Sequence, residues 1–381
     1  MRDTPYCKAP WIGLAYEGTV GVKPCCEWRG EVFVGTHTDY LKSDYLKDFK
    51  ELMYEDKMNK GCMECIHNER RNEIIRGEDN WSRRHWGRDN WSRRHWFEKF
   101  DIEGGLVRLD YRAGNKCNMK CRMCWAGASS LWEEENIKIY GNSIPLASID
   151  TSDVYDIDLN SVSLISILGG EPSIDMKVRN FIDYVTKLKL PNDTIICVTT
   201  NGTNASSKWF KTLKAVDNLK IMLSIDGTGN VQDYQRKGGE WDKIKKNLIK
   251  YRDTFKDVSI WLTATSINFT VLDLWWDELV GLNIPIDFVV VHEPQSHSLD
   301  AIPDLYKSKQ IKWLQQWHQK SVRQGRDHGR IVKEAIAILT ASKYNKGYHR
   351  EFKKETLRLD AIRNESILDL DPRFEEIMNE R

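Results

Sequence analysis

From residue 105 onward, six apolar runs rich in β-branched residues alternate with amphipathic segments, and this alternation restricts the fold more than any other property of the chain. The runs are "GLVRLDYRAG", "SVSLISILGG", "TIICVTTNG", "LKIMLSIDG", "VSIWLTATSIN" and "PIDFVVVH". Between them lie "SSLWEEENIKIY", "DMKVRNFIDYVTKLK", "SSKWFKTLKAV", "EWDKIKKNLIKYRDTF" and "TVLDLWWDELVGL", whose apolar residues recur near every third or fourth position, as in a helix with one buried face. Strands and helices repeating at roughly 30-residue intervals close as right-handed βαβ crossovers, so the strands are expected to lie parallel. Six units predict an α/β fold, a partial (β/α)6 TIM-like barrel whose lateral mouth is wider than that of an eight-stranded barrel. In such a wall the C-terminal strand ends carry the site, and here they run into "GGEP", "TTNGT", "SIDGTG" and "SINFT".

The flanks lack this rhythm. Residues 1–100 hold Cys7, Cys25, Cys26, Cys62 and Cys65, and residues 296–381 read as helices, clearest in "QIKWLQQWHQKSV" and "FKKETLRLDAI". The expected division is a cysteine-rich segment 1–100, a barrel 101–295 and a helical C-terminal extension 296–381. No run of about 18 apolar residues is present and "MRDTPYCKAP" lacks the apolar core of an export signal, so a cytoplasmic protein with no membrane partner is expected. Thiols stay reduced there, and nine cysteines, eight of them clustered, read as metal ligands before disulfides. A formal charge of +1 gives no global attraction to nucleic acid.

The segment "KCNMKCRMCW" places Cys117, Cys121 and Cys124 on the loop after the first strand. Four thiolates close a structural zinc or iron–sulfur site, whereas three leave one metal position free for a substrate or cofactor. The alternative is a zinc site whose fourth ligand comes from elsewhere in the chain.

The C-x3-C-x2-C loop, followed by "GGEP", "TTNG" and "SIDG" after the next three strands, resembles the radical S-adenosylmethionine superfamily over residues 105–295. The resemblance implies a [4Fe-4S] cluster on Cys117, Cys121 and Cys124, S-adenosyl-L-methionine as cofactor, and radical abstraction of a substrate hydrogen. It also implies an external one-electron donor such as flavodoxin or ferredoxin. Gly169, Gly170, Glu171 and Pro172 would admit the methionyl ammonium close to the backbone, because glycine has no side chain to obstruct it. Met123 stands where the family usually has an aromatic against the adenine. Thr200, Asn201, Ser224 and Asp226 would reach the cofactor carboxylate and ribose, and Arg236 the carboxylate or substrate. Each of these polar residues could equally cap the helix that follows it.

"CKAPWIGLAYEGTVGVKPCCEW" followed by "GCMECIHNE" resembles a SPASM/twitch auxiliary-cluster segment, placed before the barrel instead of after it. Cys7, Cys25, Cys62 and Cys65 would then ligate a second [4Fe-4S] cluster, with zinc as the alternative metal. Cys197, inside an apolar strand, reads as a small buried hydrophobe. The expected function is radical modification of a peptide or protein. A radical enzyme acting on nucleic acid or a nucleotide is a second reading, supported by the tandem "GEDNWSRRHW GRDNWSRRHW" at residues 77–96. A non-catalytic, zinc-stabilised binding protein is a third.

Overall fold

The computed structural model describes residues 7–55, 57, 60–62, 100–143, 146, 151–291 and 293–380. Its strands are β1 Gly13–Glu17, β2 Gly21–Lys23, β3 Arg108–Arg112, β4 Lys120–Cys121, β5 Leu164–Leu168, β6 Ile195–Thr200, β7 Leu219–Ser224, β8 Arg236–Lys237, β9 Val258–Ala264 and β10 Ile286–Val290. Its helices are α1 Ala9–Ile12, α2 His37–Lys42, α3 Asp44–Tyr54, α4 Trp132–Tyr140, α5 Met176–Val185, α6 Ser207–Lys214, α7 Gly229–Gln235, α8 Trp241–Thr254, α9 Leu272–Gly281, α10 Asp304–Arg323, α11 Gly329–Ala341, α12 Lys346–Arg363 and α13 Arg373–Asn379.

Eight strands form one sheet in the order β10-β9-β7-β6-β5-β3-β1-β2, while β4 and β8 make a separate antiparallel ribbon. Every neighbouring pair in the large sheet is parallel except β1 with β2. All six apolar runs read from the sequence become strands, with a helix in each connection, so the expected partial parallel barrel wall forms. Two strands of the large sheet were not expected. "GLAYE" and "GVK" are short, and β1 is buried along its whole length. Its partner β3 lies about ninety residues away, with Gly13 opposite Arg108 and Glu17 opposite Arg112. No local period marks such a strand.

Side chains alternate across the strands. Ile165 and Ile167 join Val178, Phe181, Ile182 and Val185 of α5 in the main core. The intervening positions face the other way, where Leu164, Cys197 and Met222 form a small cluster beside Trp261. Arg108, Asp110 and Ser166 are also on this inner face, with the Arg108 guanidinium bidentate on Asp110 at 2.9 and 2.8 Å. A helix-packed outer face and a polar inner face therefore follow from one period-2 pattern. Side-chain caps start several helices: Asp175 accepts from the Lys177 N–H, Ser206 from Trp209 and Asn345 from Gly347 and Tyr348. Left-handed residues end two helices, Gly141 (φ 77°) after α4 and Asn364 (φ 50°) after α12.

Parallel strands put all their C-terminal ends on one rim, and the Cys117–Cys124 loop, "GGEP", "TTNG" and "SIDG" all leave from that rim. The chain enters β1 and β3 at the opposite rim, where Cys7, Trp11 and Cys25 pack with Ala9, Ile12, Val107 and Phe100. The five residues of β3 separate the two cysteine groups, a span of roughly 17 Å.

Candidate functional site

The cysteine loop is a closed structure. The Asn115 side-chain amide donates to the Ala126 carbonyl at 2.7 Å and the Ser130 N–H to the Asn115 carbonyl at 2.8 Å, which ties its two ends together. Inside it, the Trp132 indole N–H donates to the Cys121 carbonyl at 2.8 Å and the Cys124 N–H to the same carbonyl at 3.0 Å. The loop crosses directly over the glycine pair: the Glu171 N–H donates to the Lys116 carbonyl at 2.8 Å. Gly170 has φ 38°, and a Cβ there would lie 2.2 Å from the Lys116 oxygen, so no larger residue fits beneath the loop.

Cys117, Cys121 and Cys124 are half-buried thiols in no disulfide. Burial pushes Cys117 up to about 11 and Cys124 up to about 12. It raises Cys121 as well, opposed by the charges of Arg236 and Arg363. Thiols held protonated this way become thiolates when a metal replaces the proton, which is the donor chemistry an iron–sulfur cluster uses. Among the described residues no three His, Cys, Asp or Glu are arranged around one metal ion. A four-iron cluster takes each thiolate at a separate iron, so three cysteine thiols of one loop would supply three of its four positions. The Arg236 Nη1 stands 3.8 Å from the Cys121 sulfur, and β8, which carries Arg236, pairs with β4, which carries Cys121.

The other expected site residues gather around the loop. Glu171 is 1 % exposed and its carboxylate accepts from the Thr200 hydroxyl at 2.5 Å, the Ser173 N–H at 3.0 Å and the Asn201 N–H at 2.7 Å. Burial pushes this carboxyl up, and the three donors oppose the shift. The Asn201 side-chain amide donates to Asn118 of the cysteine loop at 2.9 Å. Asp226 is fully buried: one oxygen accepts from Arg236 Nε at 2.6 Å, the other from the Thr263 N–H at 2.8 Å. Gly169, at φ 87°, lies over Arg112. Pro172 opens a buried turn, and Ser224 and Met123 are half-buried, Met123 between Arg122 and Cys124. The structure thus joins these residues into two braces, Glu171–Thr200–Asn201–Asn118 and Asp226–Arg236, that reach the cysteine loop from neighbouring strand ends.

Residues absent from the sequence reading complete the surroundings. Arg122, inside the cysteine loop, donates to Asp360 of α12, to Glu365 at 2.6 Å and to the Tyr234 carbonyl at 3.1 Å. Arg363 holds both oxygens of Glu135 at 3.0 and 2.6 Å and donates to the Lys120 carbonyl at 2.8 Å. An arginine between two cysteines hints at a partner, but partners some 240 positions away leave no local signal.

At the opposite rim, Cys7, Cys25 and Cys62 pack against one cluster of Trp28, Phe49 and Met53 with Trp11. Burial pushes the Tyr45 hydroxyl up to about 12, helped less strongly by Glu31 and then by Cys62 and Cys25. Cys26 turns elsewhere, 4.0 Å from the Arg108 guanidinium. Cys65 and the repeat at residues 77–96 lie outside the described residues.

Residues 111–272 of this chain match the family described as the Radical SAM superfamily. It is 25% identical over 236 residues to the GTP 3',8-cyclase of Campylobacter fetus subsp. fetus (strain 82-40), covering 60% of this chain and 61% of that protein. The chain thus spans about three fifths of that relative's length. Among solved structures, native anSMEcpe with bound AdoMet matches at TM-score 0.40 and 19% identity, covering 58% of this chain and 62% of that one. Streptococcus suis SuiB bound to precursor peptide SuiA matches at TM-score 0.37 and 13% identity, covering 71% of this chain and 62% of that one. No helix among the described residues is long and apolar enough to cross a membrane.

Proposed function

We propose that this chain is a radical S-adenosylmethionine enzyme that abstracts a hydrogen atom from a peptide or protein. The observation that carries the chemistry is the loop itself: three free thiols on the catalytic rim, over a glycine pair, with Arg236 beside Cys121. Cys117, Cys121 and Cys124 would hold a [4Fe-4S] cluster. Bound there with S-adenosylmethionine, it would supply one-electron reduction of the sulfonium and a 5'-deoxyadenosyl radical. The protein's own part is placement. Glycines 169 and 170 let the cysteine loop pass close over the end of β5, beside which the methionyl group of the cofactor would lie, and Asp226 orients Arg236 toward the loop. Glu171 fixes the ends of β5 and β6 relative to each other and leaves its charge beneath the site. Thr200, Asn201, Ser224 and Met123 would border the cofactor.

The substrate would enter along the inner face of the wall, which is lined by Arg108, Asp110, Arg112, Trp261 and Asp287 and therefore suits a polar molecule. Cys7, Cys25 and Cys62, which pack together at the far rim, would hold a second [4Fe-4S] cluster with Cys65 as the fourth ligand, the feature that favours a peptide. A nucleotide is the second reading, favoured by the GTP 3',8-cyclase relative. A flavodoxin- or ferredoxin-type donor would supply the electron.

The test is anaerobic reconstitution with iron and sulfide, followed by dithionite and S-adenosylmethionine. The expected result is 5'-deoxyadenosine from the unaltered chain and none from Cys117→Ala, Cys121→Ala or Cys124→Ala, each of which keeps its melting temperature. Normal 5'-deoxyadenosine from any one of the three would overturn the assignment. Stimulation of turnover by GTP and not by peptides would select the second reading.

A further inference from the structure

We infer that the C-terminal stretch from Asp360 to Glu365 positions the cysteine loop inside a fixed shell of charge that sets the reduction potential of the cluster bound there. This inference rests on the radical S-adenosylmethionine reading of the loop. Two buried guanidinium groups carry it. The Arg122 side chain is 0% exposed, lies 3.6 Å over the Tyr234 ring and pairs with Asp360 and Glu365. Tyr234 donates its hydroxyl to the same Asp360 at 2.7 Å, so the stack and the ion pair are one unit. The Arg363 side chain, 1% exposed, pairs with Glu135 at 2.6 Å and donates to the carbonyl of Lys120, the residue before Cys121. Two lysines of the β4–β8 ribbon join the set, Lys120 with Glu135 at 2.9 Å and Lys237 with Glu365 at 3.0 Å.

Anchorage alone does not account for this arrangement. A helix can be fastened to a loop by apolar contacts, whereas burying ion pairs carries a desolvation penalty that their attraction often fails to exceed. What apolar contacts cannot provide is charge. With the Arg236–Asp226 pair beside Cys121 included, the cations Lys120, Arg122, Arg236, Lys237 and Arg363 outnumber the carboxylates Glu135, Asp226, Asp360 and Glu365 by one on the elements that hold the loop. Reduction adds one electron to a cluster that already carries negative thiolates. A neighbouring cation stabilises that reduced state, a neighbouring anion opposes it, and in a buried setting neither effect is strongly screened.

The experiment is a redox titration, followed by electron paramagnetic resonance, of the full chain reconstituted with iron and sulfide. Arg363→Gln should shift the potential to more negative values and Glu365→Gln to less negative ones, both with iron content unchanged. Opposite signs on opposite charges of one network are what a merely structural contact does not produce, since loosening the loop moves both variants the same way. If Arg363→Gln does not fold, Lys237→Gln, at a side chain 41% exposed, removes a cation of the same network and should shift the potential in the same negative direction. Same-sign shifts, or none, in iron-loaded variants overturn the proposal. An unaltered chain that binds no iron overturns the reading of the cysteine loop instead.

Discussion

At the scale of single residues, Glu171 shows how a side chain can serve the site without facing solvent. Two carboxylate oxygens receive three donors from two strand ends, at 2.5, 2.7 and 3.0 Å, and no amide can reproduce that acceptor set. In Glu171→Gln the side-chain NH2 would confront a donor, either the Asn201 N–H or the Thr200 hydroxyl. Leaving one buried donor unmatched costs about 1–3 kcal/mol. The expected outcome is a lower melting temperature by calorimetry in a chain that still folds. An unchanged melting temperature would mean that the carboxylate does not brace the strand ends. "GGEP" marked Glu171 as important from sequence, but its partners Thr200 and Asn201 came from a separate motif. Only the parallel pairing of β5 with β6 brings the two motifs together.

At the scale of elements, the turn Gln295–His297 lies against α12 and supplies a pH-sensitive contact. Burial, together with the charges of Arg122 and Arg363, lowers His297 from its ordinary 6.5 to about 3. In the unfolded chain His297 takes up a proton below 6.5, while in the folded chain it stays neutral until about 3, so acid across this window favours unfolding. The loss from this one group is at most about 1.4 kcal/mol per pH unit. His297→Gln should therefore lose less stability than the unaltered chain as pH falls from 6.5 toward 3, as read by denaturant melts at each pH. Equal losses in both would show that His297 is protonated in the folded state. The helix itself was legible from "FKKETLRLDAI". Its attachment was not, because Asp360 and Arg363 read as ordinary solvated positions until the fold brings Arg122 and Glu135 against them.

For the whole molecule, the governing feature is that the two cysteine groups sit at opposite rims of one sheet. Cys7, Cys25 and Cys62 surround an aromatic cluster at the strand N-termini, roughly a strand's length from the Cys117 loop. If that far site holds its own [4Fe-4S] cluster, Cys62→Ala should lower the iron content by about four per chain while 5'-deoxyadenosine formation persists. Iron and acid-labile sulfide analysis of the reconstituted protein measures this. Unchanged iron would assign the far site to zinc or to no metal. Either result leaves the Cys117–Cys124 loop untouched, because β3 and its neighbours separate the sites.

The sequence by itself determined the six units of the wall and the three-cysteine loop. Period-2 and period-3.6 apolar patterns are local, and each side chain within them is buried by its own strand or helix face, so the six-unit wall could be read directly. Three cysteines in eight residues are likewise a local fact, since one short loop must present them together. What the tertiary structure decided is everything joined across long separations. That includes β1 and β2 extending the sheet from the N-terminal segment, the Cys121–Arg236 and Glu171–Asn201 contacts, and the carboxylates of α12 and its following turn around Arg122. The physical reason is that an ion pair or a β-ladder depends on distance in space. Chain positions tens to hundreds of residues apart acquire such a distance only when the hydrophobic core fixes the packing of the elements that carry them.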